Sequence, residues 1–156
     1  MNITFQAEKI AKLLTGLLGR AVTVKVGAPP STPYDPPIVA SYAVDSGEIV
    51  AICVCDLDFT LNGGAALCMI PAYEAANNVK AKRLDPVLFE NFQEILNICA
   101  QLFGGSNQQR VKLLSVHTKV NEAPARAKEL IAQSKVRREV QVSIAGYGNG
   151  KISVFC

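Results

Sequence analysis

The chain has a single histidine, no cysteines at C-x-x-C spacing, no long apolar run and no long block of one charge. His117 has no His or Cys partner near it in sequence, so a histidine-based metal site is not indicated and a structural role is expected. The cysteines, Cys53, Cys55, Cys68, Cys99 and Cys156, form an odd set of five, four of them inside apolar runs, and are expected as buried reduced thiols. Cys53 and Cys55 alternate along one strand and share a face, but no second ligand pair follows them. No stretch is long enough to cross a bilayer. Residues Met1 to Ala11 lack the basic start, apolar run and cleavage site of a secretory signal, so cytoplasmic residence without membrane contact is the expectation. The net charge of +3 comes from scattered basic residues without interleaved aromatics, which argues against nucleic-acid binding. The glycine-rich segments Asn62-Gly63-Gly64 and Gly146 to Gly150 match neither a phosphate-binding loop nor a dinucleotide fingerprint, and they read as hairpin turns.

What is present is an ordinary globular composition. A chain of 156 residues with 49% hydrophobic and 19% charged residues fits one domain that buries about two-thirds of its unfolded surface. Ile10, Leu13, Leu14, Leu17 and Leu18 recur at helical spacing within Phe5 to Leu18, and Gly19 stands where that helix would stop. Val22 to Val26 alternates as a strand. Ala28 to Pro37 holds five prolines and reads as a loop or lid. Pro37 to Val44, Glu48 to Leu57 and Gly64 to Ile70 are β-rich runs separated by Asp45-Ser46-Gly47 and Asn62-Gly63-Gly64, which predicts three consecutive antiparallel strands. Asp56 and Asp58 then share one strand face; with no further acidic ligand nearby they read as strand-end and turn residues and not as a Mg²⁺ site or a carboxylate pair.

Pro71 opens a short helix to about Asn78, and Pro86 opens a longer one to Phe103, before Gly104-Gly105. Val111 to Val116 reads as a strand, Ala123 to Gln133 as a helix, and Val136 to Ala145 with Ile152 to Phe155 as a hairpin. Strand runs between isolated helices indicate an α+β fold with the helices covering one sheet. The segment Ile10 to Gly19, IAKLLTGLLG, lies over Ile95 to Gly104, ILNICAQLFG, without a gap, and each copy precedes a strand. That match is suggestive of an internal duplication within a single domain over residues 1–156.

On the helix from Pro86 to Phe103, Leu88, Phe92, Ile95, Cys99 and Leu102 fall on one side, while Glu90, Glu94, Asn97 and Gln101 fall on the other at 100° per residue. Any surface helix carries such a polar face. The segment Phe92 to Ile98, FQEILNI, resembles the E-x-x-N signature of the CheC/CheX/FliY phosphatases, with the CheX branch the nearest match. Leu113 to Val120, LLSVHTKV, is similar to the strand that follows the signature helix in that family, and the element order agrees along nearly the whole chain.

The resemblance implies a CheC-like pseudo-twofold repeat, an antiparallel sheet covered by two long helices. It also implies a phosphatase that removes the phospho-aspartate of a chemotaxis, CheY-like response regulator. Asn97 would orient the attacking water, and Glu94 would pair with the receiver's active-site lysine. Glu90 and Gln101, on the same face, would contact the partner. No cofactor of the chain's own is implied, because the receiver brings its own Mg²⁺. A homodimer is implied by the CheX branch.

Several positions depart from the family pattern. Glu90 stands where Asp or Ser is common, Leu96 and Gln101 are bulkier than the glycines common there, and His117 occupies the neighbourhood of an expected proline. Lys9 and Lys12 take the places of Glu94 and Asn97 in the first half, which leaves at most one site. The alternative is a non-catalytic module that binds receiver domains.

Overall fold

The computed structural model describes residues 7–104, 109–134 and 137–156. Phe5, Gly105 and Val136, which fall in expected elements and turns, lie outside them. The chain runs through α1 (Ala7–Leu18), β1 (Val22–Val26), β2 (Ile38–Val44), β3 (Ile49–Cys55), α2 (Leu57–Leu67), α3 (Ala72–Lys80) and α4 (Pro86–Cys99). A 3-10 turn at Ala100–Phe103 extends α4, and β4 (Val111–His117), α5 (Ala125–Gln133), β5 (Arg137–Ile144) and β6 (Gly148–Phe155) complete the fold.

All strand pairs are antiparallel and form one six-stranded sheet in the order β1-β5-β6-β3-β2-β4. Exchanging β1 with β4, β2 with β5 and β3 with β6 returns the same order read backwards. The sheet is thus pseudo-twofold, with its axis between β3 and β6. α1 leads into β1 as α4 leads into β4, so the two helices hold equivalent places. The α+β fold with two long helices over an antiparallel sheet is the one expected from the sequence.

Side-chain alternation sends the two faces of β2 and β3 into different cores. Ile38, Ala40, Tyr42, Ala51, Cys53 and Cys55 join the large core with Ile10, Leu14, Phe92 and Ile95 from α1 and α4. Val39, Ile52 and Val54 pack on the opposite face with Ala127 and Leu130 of α5. That double burial accounts for strands that are apolar at nearly every position.

The segment after β3 departs from the expectation. Gly64 to Ile70 is not a third strand, and Asn62-Gly63-Gly64 is not a turn; both fall in or just beyond α2, a helix buried along most of its length. Asp56 is its N-cap, its Oδ1 accepting from the Phe59 N–H at 2.8 Å, and Asp58 lies in its first turn, so the two do not share a strand face. Burial pushes the Asp56 carboxyl up, against the backbone hydrogen bonding at Phe59 and Lys151 that lowers it. The glycines serve packing. A Cβ on Gly64 would lie 2.1 Å from the Leu88 carbonyl oxygen, so α4 seats directly on the α2 backbone there. The last hairpin is also tighter than expected, with β6 beginning at Gly148.

Candidate functional site

Helix α4 carries the predicted site, and its placement is fixed at several points along its length. Asp85 caps the N-terminus, Oδ2 accepting from the Leu88 N–H at 3.0 Å, and Pro86 occupies the first turn, where its missing N–H costs nothing. Leu88, Phe92, Ile95, Leu96 and Cys99 are buried. Phe92 meets Phe59 of α2 edge-on at 5.1 Å, and the Asn91 side-chain amide donates to the Gly64 carbonyl at 3.1 Å. At the C-terminal end α4 tightens, and the Ala100 N–H turns to the carbonyls of Asn97 and Ile98. The Leu96 carbonyl accepts instead from the Tyr42 hydroxyl at 2.7 Å, deep in the core. Tyr42 in turn packs on Phe103, 4.8 Å between ring centres.

These contacts set the orientation of α4 and so of its solvent face. Glu90, Glu94, Asn97 and Gln101 are all exposed, with Glu94 and Asn97 one turn apart. Helical residues three apart have Cβ atoms about 5–6 Å from each other, so both side chains reach one approaching group. Neither Glu90 nor Glu94 forms an ion pair among the described residues, which leaves both carboxylates available to a partner. Asn97 and Gln101 also border a cleft of about 500 Å³ whose other wall is the start of β4, with Arg110 and Lys112. Of the two bulky departures, Leu96 is buried and lies off the exposed face, and Gln101 stands on it.

The other singled-out residues lie elsewhere. His117 ends β4 opposite Val39, half-buried, its Nδ1 without a hydrogen-bond partner among the described residues. Cys53, Cys55 and Cys99 are buried free thiols; burial raises all three, Cys99 to about 12. Cys68 departs from the buried set and is exposed at the end of α2, and Cys156 is half-buried. No group of three or more metal-ligating side chains occurs among the described residues, and no helix there is long and apolar enough to cross a membrane.

One polar cluster escaped the sequence reading. Glu139 of β5 is buried and accepts from Arg137 Nε and Ser153 Oγ, while Ser153 also lies 3.3 Å from the Tyr34 hydroxyl in the proline-rich loop. Burial raises the Tyr34 hydroxyl. Arg137 and Glu139 are two apart on a strand, a pattern too common on sheet surfaces to mark a buried pair in advance.

No protein-family model matches the sequence, and no curated protein matches it either. Solved structures do. The FliM middle domain from H. pylori superposes with a TM-score of 0.64 at 10% identity, covering 96% of this chain and 83% of that one. The FliM middle domain from Vibrio alginolyticus gives 0.61 at 11% identity, with 96% and 89% covered. FliY from Thermotoga maritima gives 0.53 at 12% identity, with 94% and 81% covered. This chain has the CheC-like fold. The resemblance to the CheC/CheX/FliY family read from FQEILNI and the element order is thus borne out at the level of architecture, over nearly the whole chain.

Proposed function

We propose that this chain is a CheX-like phosphatase that hydrolyses the phospho-aspartate of a CheY-like response regulator. The observation that carries the reading is the presentation of Glu94 and Asn97, both exposed and one turn apart, on a capped and firmly packed helix of a CheC-like fold.

Asn97 inserts beside the phosphoryl group and orients a water for in-line attack through its side-chain amide. Glu94 pairs with the receiver's active-site lysine and sets the register of docking, with Glu90 and Gln101 as flanking contacts. The receiver supplies the Mg²⁺, and this chain adds no cofactor. Such a division of labour needs little from the phosphatase: a hundredfold acceleration corresponds to about 3 kcal/mol of transition-state stabilisation. Cytoplasmic residence and a homodimer belong to the same proposal.

The lifetime of phosphate on purified receiver domains tests it. The wild type should shorten that lifetime, Asn97→Ala should abolish the effect while the receiver still binds, and Glu94→Ala should weaken binding. An unchanged lifetime across a complete receiver set would sink the catalytic reading. A Glu94→Ala variant that bound and worked normally would remove the role given to Glu94.

A second reading is a binding module without hydrolysis. It is favoured by Gln101 on the docking face and by the FliM neighbours, which include H. pylori FliM in complex with SpeE and with FliG, at TM-scores of 0.62 and 0.58. Binding to a phosphorylated receiver without any loss of phosphate would select it.

A further inference from the structure

A groove of about 570 Å³ runs between α1 and the C-terminal end of α4, and the phosphatase reading touches it only at Gln101, on its rim. We propose that it docks an acidic amphipathic helix of a partner protein, with Gly16 as the point of closest approach. This holds whether or not the chain hydrolyses phosphate.

The groove's apolar surface comes from Leu13, Leu17, Ile98 and Leu102, each only half-buried although the core lies directly beneath. Along α1, the lining residues 9, 12, 13, 16 and 17 form one continuous stripe at helical spacing. At 1.5 Å per residue that stripe is about 12 Å long, two turns of an occupying helix. A helix entering such a groove uses anchors at i, i+3 or i+4, and i+7.

Charge selects the kind of helix. Lys9 and Lys12 stand exposed on the α1 side; among the described residues no acidic side chain lines the groove and neither lysine has an ion-pair partner. An occupant with Asp and Glu flanking its apolar stripe would meet both cations, whereas a basic one would be repelled.

Gly16 supplies an independent argument. In a helix interior glycine costs roughly 1 kcal/mol relative to alanine, so its presence needs a reason. The described residues offer none: Gly16 has no left-handed φ, and a Cβ built on it meets none of them within 4 Å. The Cβ position faces open space along the groove's stripe. The separation of packed helices depends on the side chains at their contact, and a glycine there lets a partner's backbone come close.

The test is selection from a displayed library of randomised 16-residue helical peptides, with the intact protein as bait. Enriched peptides should carry apolar residues at i, i+3 or i+4, and i+7 between acidic residues. Fluorescence anisotropy with a synthetic winner should show at least tenfold weaker binding to Gly16→Trp and to Lys9→Glu/Lys12→Glu. A copy of the winner with its acidic residues changed to lysine should prefer the latter variant to the wild type. Circular dichroism and thermal melts establish that both variants are folded. The proposal is overturned if nothing is enriched, if winners lack acidic bias, or if they bind Gly16→Trp as well as wild type. Self-association of the wild type that Gly16→Trp removes would assign the groove to a second copy, and displacement of winners by decanoate alone would assign it to acyl chains. Either result also overturns it.

Discussion

α1 and α4 occupy equivalent places in the two halves of the sheet, yet only their inward sides agree. Laying Ile10–Gly19 on Ile95–Gly104 pairs Ile10 with Ile95, Leu14 with Cys99 and Leu18 with Phe103, and all six are buried. The outward positions pair Lys9 with Glu94, Lys12 with Asn97 and Gly16 with Gln101, all of them exposed. The common sheet constrains one stripe of each helix and leaves the other free. In α4 that freedom yields a carboxylate and an amide poised at one point; in α1 it yields two cations beside an open groove.

The helices also differ in how glycine is used against them, which gives the largest effect we expect. Gly64 of α2 lets α4 sit so close that a Cβ would overlap the Leu88 carbonyl oxygen at 2.1 Å and its carbon at 2.9 Å. Both atoms are backbone and cannot swing away. Gly64→Ala should therefore cost about 3 kcal/mol or more, by forcing α4 off α2, and should lower the denaturation midpoint accordingly. A variant as stable as wild type would mean that α4 is held mainly by its own side chains.

The next effect down concerns the other end of α4. Tyr42→Phe removes the hydroxyl that donates to the Leu96 carbonyl and leaves that carbonyl in the core without this donor. An unsatisfied buried acceptor costs about 1–3 kcal/mol. Chemical denaturation should register that loss. Because Leu96 immediately precedes Asn97, the proposed phosphatase function adds that a receiver-lifetime assay should show a reduced rate, where mere destabilisation of a still-folded protein would leave the rate unchanged. A loss of stability alone would make Tyr42 a core residue and nothing more.

These two contacts also mark where sequence reading succeeds and stops. Period-3.6 patterning located α1 and α4 and put Glu90, Glu94, Asn97 and Gln101 on one face, because a helix laid over a sheet has one dry stripe. Alternation located β1, which is buried on one side, while β-rich runs bounded by turn residues located β2 and β3, whose burial on both faces leaves no alternation to read. α2 escaped both rules. It is buried nearly all round, so it has little amphipathic contrast, and its glycines signal close packing where local rules see a turn. Asp56 ahead of Leu57 was a legible helix start, masked by the apolar run through Cys55. The burial of Leu96 was not legible either: α2 and the Tyr42 side of the sheet widen the buried arc of α4, and no local pattern reports what lies beneath a helix.

The smallest effect has the opposite sign. Gly16→Ala adds a methyl group that meets none of the described residues, while it restricts the unfolded chain and favours helix. The isolated protein should gain about 0.4–1 kcal/mol, read as a rise in melting temperature of a few degrees for a domain of this size. The same methyl at Gly64 should do the reverse by a larger margin, so one substitution at two helical glycines separates a residue that the fold requires from one that it does not. A loss of stability at Gly16 would show that α1 uses this glycine for its own packing and would remove the reason to look outside the chain for what the groove accommodates.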